Sequence, residues 1–267
     1  MTTRRTIETD EGMLGYEALS QALAYAQTVR GRMANLVEII ANPDCLYDGK
    51  LPYTPLSEEI VGIDKYGKYT EQGGVVFVTI HGLGVLTPDN MRIANRVGYY
   101  GNHSANIDRV FPNQDVLSMM FNEGSLPDGR NIEVMAYRDY SESGLTDYSL
   151  LHAVVRTRQE ATYPDFSRIT DLPCNPQIVT YCGGRSRTAN LFDAWKRKGQ
   201  GAFHTRNILF RPKEYFANGG TGRLLATVAN PIYGPCDGFY GNWPLSQYDK
   251  GRHRYLILSD LNANPYN

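Results

Sequence analysis

The sequence predicts an α/β protein with a mainly parallel sheet flanked by helices and with N- and C-terminal extensions. Three short apolar runs carry that expectation, near Val75 to Ile80, Ile132 to Tyr137 and Ile178 to Tyr181, each followed by a turn and residues at helical spacing. The chain is also long enough, at 267 residues with 42% hydrophobic content, to bury a substantial core.

Taken in order, Gly15 to Ala41 places Leu19, Leu23, Ala26, Met33, Leu36, Val37 and Ile40 at intervals of three and four. That spacing predicts helix, stopped by Asn42-Pro43 and divided at Gly31. Residues 44–72 are rich in proline, glycine, tyrosine and charge and offer no clear element. Gly74 to Ile80 (GVVFVTI) is the most apolar strand candidate and runs into His81-Gly82-Leu83-Gly84. Asp115 to Asn122 has helical spacing, and Ile132 to Tyr137 (IEVMAY) reads as strand, followed at once by Arg138 and Asp139. Ser149 to Arg156 leads to a variable stretch, and Pro176 to Gly199 reads as strand, tight loop and helix. Beyond it lie an apolar piece (LLATVA) and a closing strand, Tyr255 to Leu258.

Twenty-seven basic against 28 acidic residues give a net charge of −1, which argues against nucleic-acid and membrane-surface partners. Cys45, Cys174, Cys182 and Cys236 are widely spaced, without a CxxC pair or a Cys/His cluster, so neither a metal site nor a disulfide framework is expected. The start, MTTRRTIETDEG, lacks an apolar signal core and no run is long enough to span a membrane, which leaves a cytoplasmic, reducing compartment as the expectation.

The candidate site is the loop that opens at Cys182. Read as the end of a strand, this cysteine meets Gly183 and Gly184, whose backbones can turn amides toward one sulfur or one bound oxyanion. A helix start and the cations Arg185 and Arg187 follow within a few residues. All of these favour thiolate over thiol.

The block from about 111 to 220 resembles a rhodanese-homology domain, in which a leading helix, a strand ending in arginine (AYRDYSES, Arg138), a histidine segment (His152) and a cysteine loop (Cys182-Gly-Gly-Arg-Ser-Arg187) come in that order. The resemblance implies three segments: 1–105, an N-terminal helix and strand region; 106–220, a rhodanese-like α/β domain; and 221–267, a C-terminal extension. It implies a sulfurtransferase that passes sulfane sulfur through a Cys182 persulfide without cofactor or metal. Arg187 would assist catalysis, and Gly183, Gly184, Arg185 and Ser186 would hold the donor, with Arg138 bracing the loop. The partners implied are a small anionic sulfur donor and a thiol or cyanide-like acceptor, and a homo-oligomer is compatible with all of this.

Two other readings stand beside it. His81-Gly82-Leu83-Gly84 after a strand resembles the oxyanion loop of α/β-hydrolases, with Cys182 or Ser186 as nucleophile and His253 as base. Alternatively, the 19 tyrosines, 26 glycines and 14 prolines suit a non-enzymatic structural or assembly protein of shell or capsid type.

Overall fold

The structure, a computed structural model, describes residues 2–13, 15–40, 57–68, 76–85, 87–89, 114–145, 147, 150–161, 174–197, 223–232, 238–242 and 253–260. Strand β1 (Thr2–Glu8) leads to helix α1 (Gly15–Thr28), short strand β2 (Gly31–Met33) and helix α2 (Leu36–Ile40). The long helix expected from Gly15 thus stops early. Arg30 adopts a left-handed φ of 51°, and Gly31 enters a strand so close to its neighbour that a Cβ there would lie 2.7 Å from the Leu258 carbonyl oxygen. Asn35 starts α2 with a reciprocal cap: its Oδ1 accepts from Glu38 N at 2.9 Å, and Glu38 Oε2 accepts from Asn35 N at 3.0 Å.

Strands β3 (Ser57–Ile63) and β4 (Val76–His81) form a hairpin. Helix α3 (Gln114–Ser118) continues into a π-helical turn, Met119–Glu123, where helix was expected. Strand β5 (Ile132–Ala136) passes into helix α4 (Tyr137–Ser143), and β6 (Leu151–Thr157) into α5 (Arg158–Ala161). Helices α6 (Pro176–Cys182) and α7 (Arg185–Arg197) follow, then β7 (Arg223–Ile232), β8 (Gly238–Asn242) and β9 (Arg254–Asp260).

Two sheets result, one ordered β1-β9-β2 and the other β5-β6-β4-β3-β7-β8. The expectation of a mainly parallel sheet is corrected by this pairing. Among the described strands β5–β6 is the single parallel pair, and every other pairing is antiparallel. Strands from all three sequence segments, 1–105, 106–220 and 221–267, share the larger sheet, while β9 pairs with β1.

The third strand on which the parallel reading rested, Ile178 to Tyr181, is helix. Its ends decide this. Asn175 Oδ1 accepts from the amides of Gln177 at 2.9 Å and Ile178 at 3.3 Å, Pro176 occupies the first turn, and Gly183 closes the helix in the left-handed region at φ 88°. Every residue from Pro176 to Cys182 is buried, so the helix is apolar all round and its sequence looks like a buried strand.

Strand β4 is buried on both faces. Val76, Val78 and Ile80 join Ile60, Leu117, Met120 and Ile132 in the main core, whereas Phe77, Thr79 and His81 point to the opposite face. On the α4/α6 side a second cluster holds Val37, Tyr137, Tyr140, Leu145, Val154 and Val179. A third core lies under α1, where Ala18, Ala22 and Ala26 pack on Tyr255 and Ile257 of β9.

Candidate functional site

The chemistry-bearing side chains meet in a buried polar seam between the larger sheet and helices α4 and α6. Antiparallel register sets Phe77 opposite Arg156 and Thr79 opposite Val154, so the period-two alternation puts Thr79, His81, His152 and Arg156 on one face. All four are buried. Arg156 Nη2 donates to Thr79 Oγ1 at 3.1 Å, and its guanidinium sits 6.0 Å from the Phe77 ring centroid. His152 Nδ1 lies 3.1 Å from the Leu150 carbonyl oxygen, and its Nε2 is 3.2 Å from Glu133 Oε2 on β5.

Tyr140 ties this seam to the helices. Its hydroxyl donates to the Thr180 carbonyl at 2.9 Å and lies 2.9 Å from His81 Nε2. A phenol has one proton, so with that proton on Thr180 O the imidazole is the donor in the second bond and His81 is protonated at Nε2. Its Nδ1 has no hydrogen-bond partner among the described residues. The two rings stack at 5.6 Å. Burial, reinforced by the positive fields of His152 and Arg156, lowers the His81 pKa to about 3, so this histidine is neutral at physiological pH. Burial likewise raises Tyr140 far above the ordinary phenol range.

Cys182 closes α6 and is fully buried. Burial pushes its thiol up to about 12, only partly offset by a hydrogen bond with Thr188. The electrostatics are therefore opposite to those expected of an activated thiolate, because desolvation outweighs the loop amides. Cys174, by contrast, is exposed.

The glycine pair works as a packing joint. Gly183 N bonds to Thr180 O at 3.3 Å and Gly184 N to Val179 O at 2.9 Å, ending α6. A Cβ on Gly184 would lie 2.7 Å from Gly144 Cα, and one on Gly144 would lie 2.8 Å from Gly183 O. Close contact of the α6–α7 joint with the end of α4 thus requires glycine on both sides.

Arg187 Nη2 donates to the Leu145 carbonyl at 2.8 Å and so braces the same joint. Arg185 hydrogen-bonds Tyr137. Ser186 and Arg138 are exposed, the latter within α4 and not at a strand end. The structure therefore brings Gly183, Gly184 and Arg187 together as a helix junction.

The His81-Gly82-Leu83-Gly84 turn is held by Arg130, whose Nη1 and Nη2 donate to Leu83 O at 2.5 Å and Gly84 O at 3.0 Å while Nε pairs with Asp128 at 2.7 Å. His253 lies immediately before β9 of the three-stranded sheet, where its amide donates to Thr9 Oγ1 at 3.0 Å. Sequence reading overlooked Tyr140 and Arg130. The only local signal for Tyr140 was its i+3 spacing from Tyr137, and none marked Arg130. Cys45 and Cys236 lie outside the described residues. Among the described residues, no cluster of three or more His, Cys, Asp or Glu side chains could hold a metal, and no helix is long and apolar enough to cross a membrane.

No protein-family model and no curated protein matches the chain. A solved structure does: a protein described under "Accommodation of massive sequence variation in Nanoarchaeota by the C-type lectin fold" aligns over 96% of this chain and 98% of its own, with a TM-score of 0.51 and 16% identity. The fold is similar to the C-type lectin fold. This likeness, with the antiparallel sheets, overturns the rhodanese resemblance over 111–220 and the sulfurtransferase reading that it implied. What looked like strand, loop and helix around Cys182 is helix, glycine joint and helix.

Proposed function

We propose that this chain is a non-enzymatic structural or binding protein, in which a C-type-lectin-like scaffold with a fixed interior carries variable connecting segments that meet a partner. The observation that carries the reading is the end-to-end fold likeness to a nanoarchaeal protein whose description speaks of accommodating massive sequence variation. The seam supports it too. His81, Tyr140 and Cys182 are buried in their uncharged states, which suits a scaffold that locks sheet to helices better than an acid–base or nucleophilic centre.

Residues 90–113, 198–222 and 243–252 lie outside the described residues, and their sequences are rich in Tyr, Asn, Gly and Arg. That composition suits adaptable polar and aromatic contacts at a recognition surface. Scanning substitutions separates scaffold from surface. Multiple replacements across 90–113 and 198–222 are expected to change the thermal midpoint little, whereas Ile60→Ala or Val78→Ala, both fully buried, should cost roughly 1–4 kcal/mol. Equal sensitivity of the two sets would remove the proposed division of labour.

A further inference from the structure

We propose that the turn 64–68, which follows β3, is a docking point for an acidic segment of a partner protein, with the Tyr66 ring as its anchor and the ammonium groups of Lys65 and Lys68 receiving carboxylates. This docking point rests on the binding role stated above and adds a fixed contact to the variable ones. The frame of the turn is locked from inside. Asp64 N donates to Lys68 O at 2.8 Å and Gly67 N to Asp64 O at 3.0 Å, while Asp64 Oδ1 accepts from the amides of Tyr66 at 2.8 Å and Lys68 at 2.9 Å. Gly67, at φ 77°, is clamped against α3 and the π-helical turn. Gln114 Nε2 donates to its carbonyl at 2.9 Å, and a Cβ on it would lie 2.6 Å from Phe121 Cδ2.

A single exposed aromatic is ordinary on a protein surface, so exposure alone decides nothing. Tyr66 differs in its setting. It is 61% exposed, with Lys65 Nζ 4.9 Å from its ring centroid. Lys65 and Lys68 are exposed on either side of it and Gly67 is buried beneath. The Tyr66 hydroxyl and both ammonium groups have no hydrogen-bond or ion-pair partner among the described residues. A rigid backbone thus presents an amphipathic ring and two uncommitted cations, and little ordering entropy is left for binding to remove. Two cations on a chain of net charge −1 match a few carboxylates, not the continuous phosphate charge of a nucleic acid.

Fluorescence anisotropy of the full chain with a fluorescein-labelled peptide of glutamate and leucine tests the docking point, with a lysine-for-glutamate version as control. The glutamate peptide should bind and the lysine version should not. Tyr66→Ala should weaken binding by about tenfold or more, as loss of an interface anchor does. Lys65→Glu combined with Lys68→Glu should abolish it and transfer preference to the lysine peptide. Circular dichroism melts establish that each variant is folded. If the double reversal does not fold, Lys65→Gln with Lys68→Gln takes its place and should weaken binding of the glutamate peptide. No binding of the glutamate peptide, binding indifferent to Tyr66→Ala or to the lysine substitutions, or tighter binding of a labelled oligothymidylate overturns the proposal. Failure here leaves the scaffold reading to stand or fall by its own thermal comparison.

Discussion

At the scale of single residues, His81 shows how burial sets charge. Its pKa falls from an ordinary 6.5 to about 3, so the folded protein binds fewer protons than the unfolded chain between those values. Stability from this group is present above pH 6.5 and is lost as pH falls toward 3, by several kcal/mol at ~1.4 kcal/mol per unit. The urea midpoint of the wild type should therefore drop on acidification through that window more steeply than that of His81→Phe, which has no proton to gain. Tyr140 keeps its bond to Thr180 O in the variant, so the comparison isolates the imidazole. Parallel acid profiles for the two proteins would show that His81 is not held neutral by the fold.

At the scale of elements, the α6–α7 joint explains both the mistaken reading and the packing. Ile178, Val179, Thr180 and Tyr181 have strand propensity, but Asn175, Pro176 and Gly183 cap and stop a helix around them. Those caps were legible in the sequence; they were outweighed by a run of β-branched residues that owes its composition to complete burial. The helix at Asp115 to Asn122, the strand character of Val76 to Ile80 and Ile132 to Ala136, and the closing strand at Tyr255 were legible from periodicity and apolar content. Pairing partners were not, because register between β1 and β9 or β3 and β7 depends on contacts far apart in sequence. Gly184→Ala tests the joint: with φ at 107° and a Cβ driven to 2.7 Å from Gly144 Cα, the substitution should destabilise by roughly 2–5 kcal/mol in urea. A loss below about 0.5 kcal/mol, the range of ordinary surface changes, would mean that α4 does not approach so closely.

At the scale of the whole molecule, both ends of the described chain meet in one small sheet and strands from all three sequence segments build the other. Cys182 lies inside this framework as a buried, uncharged thiol. The measurement that bears most directly on this placement is the intact mass of the native protein after incubation with thiosulfate, followed by peptide mapping of Cys182. The expected result is unmodified Cys182, since neither solvent nor a charged donor reaches a sealed thiol. Gain of one sulfur atom at Cys182, discharged by cyanide and abolished by Cys182→Ser, would contradict the scaffold role and restore a catalytic one.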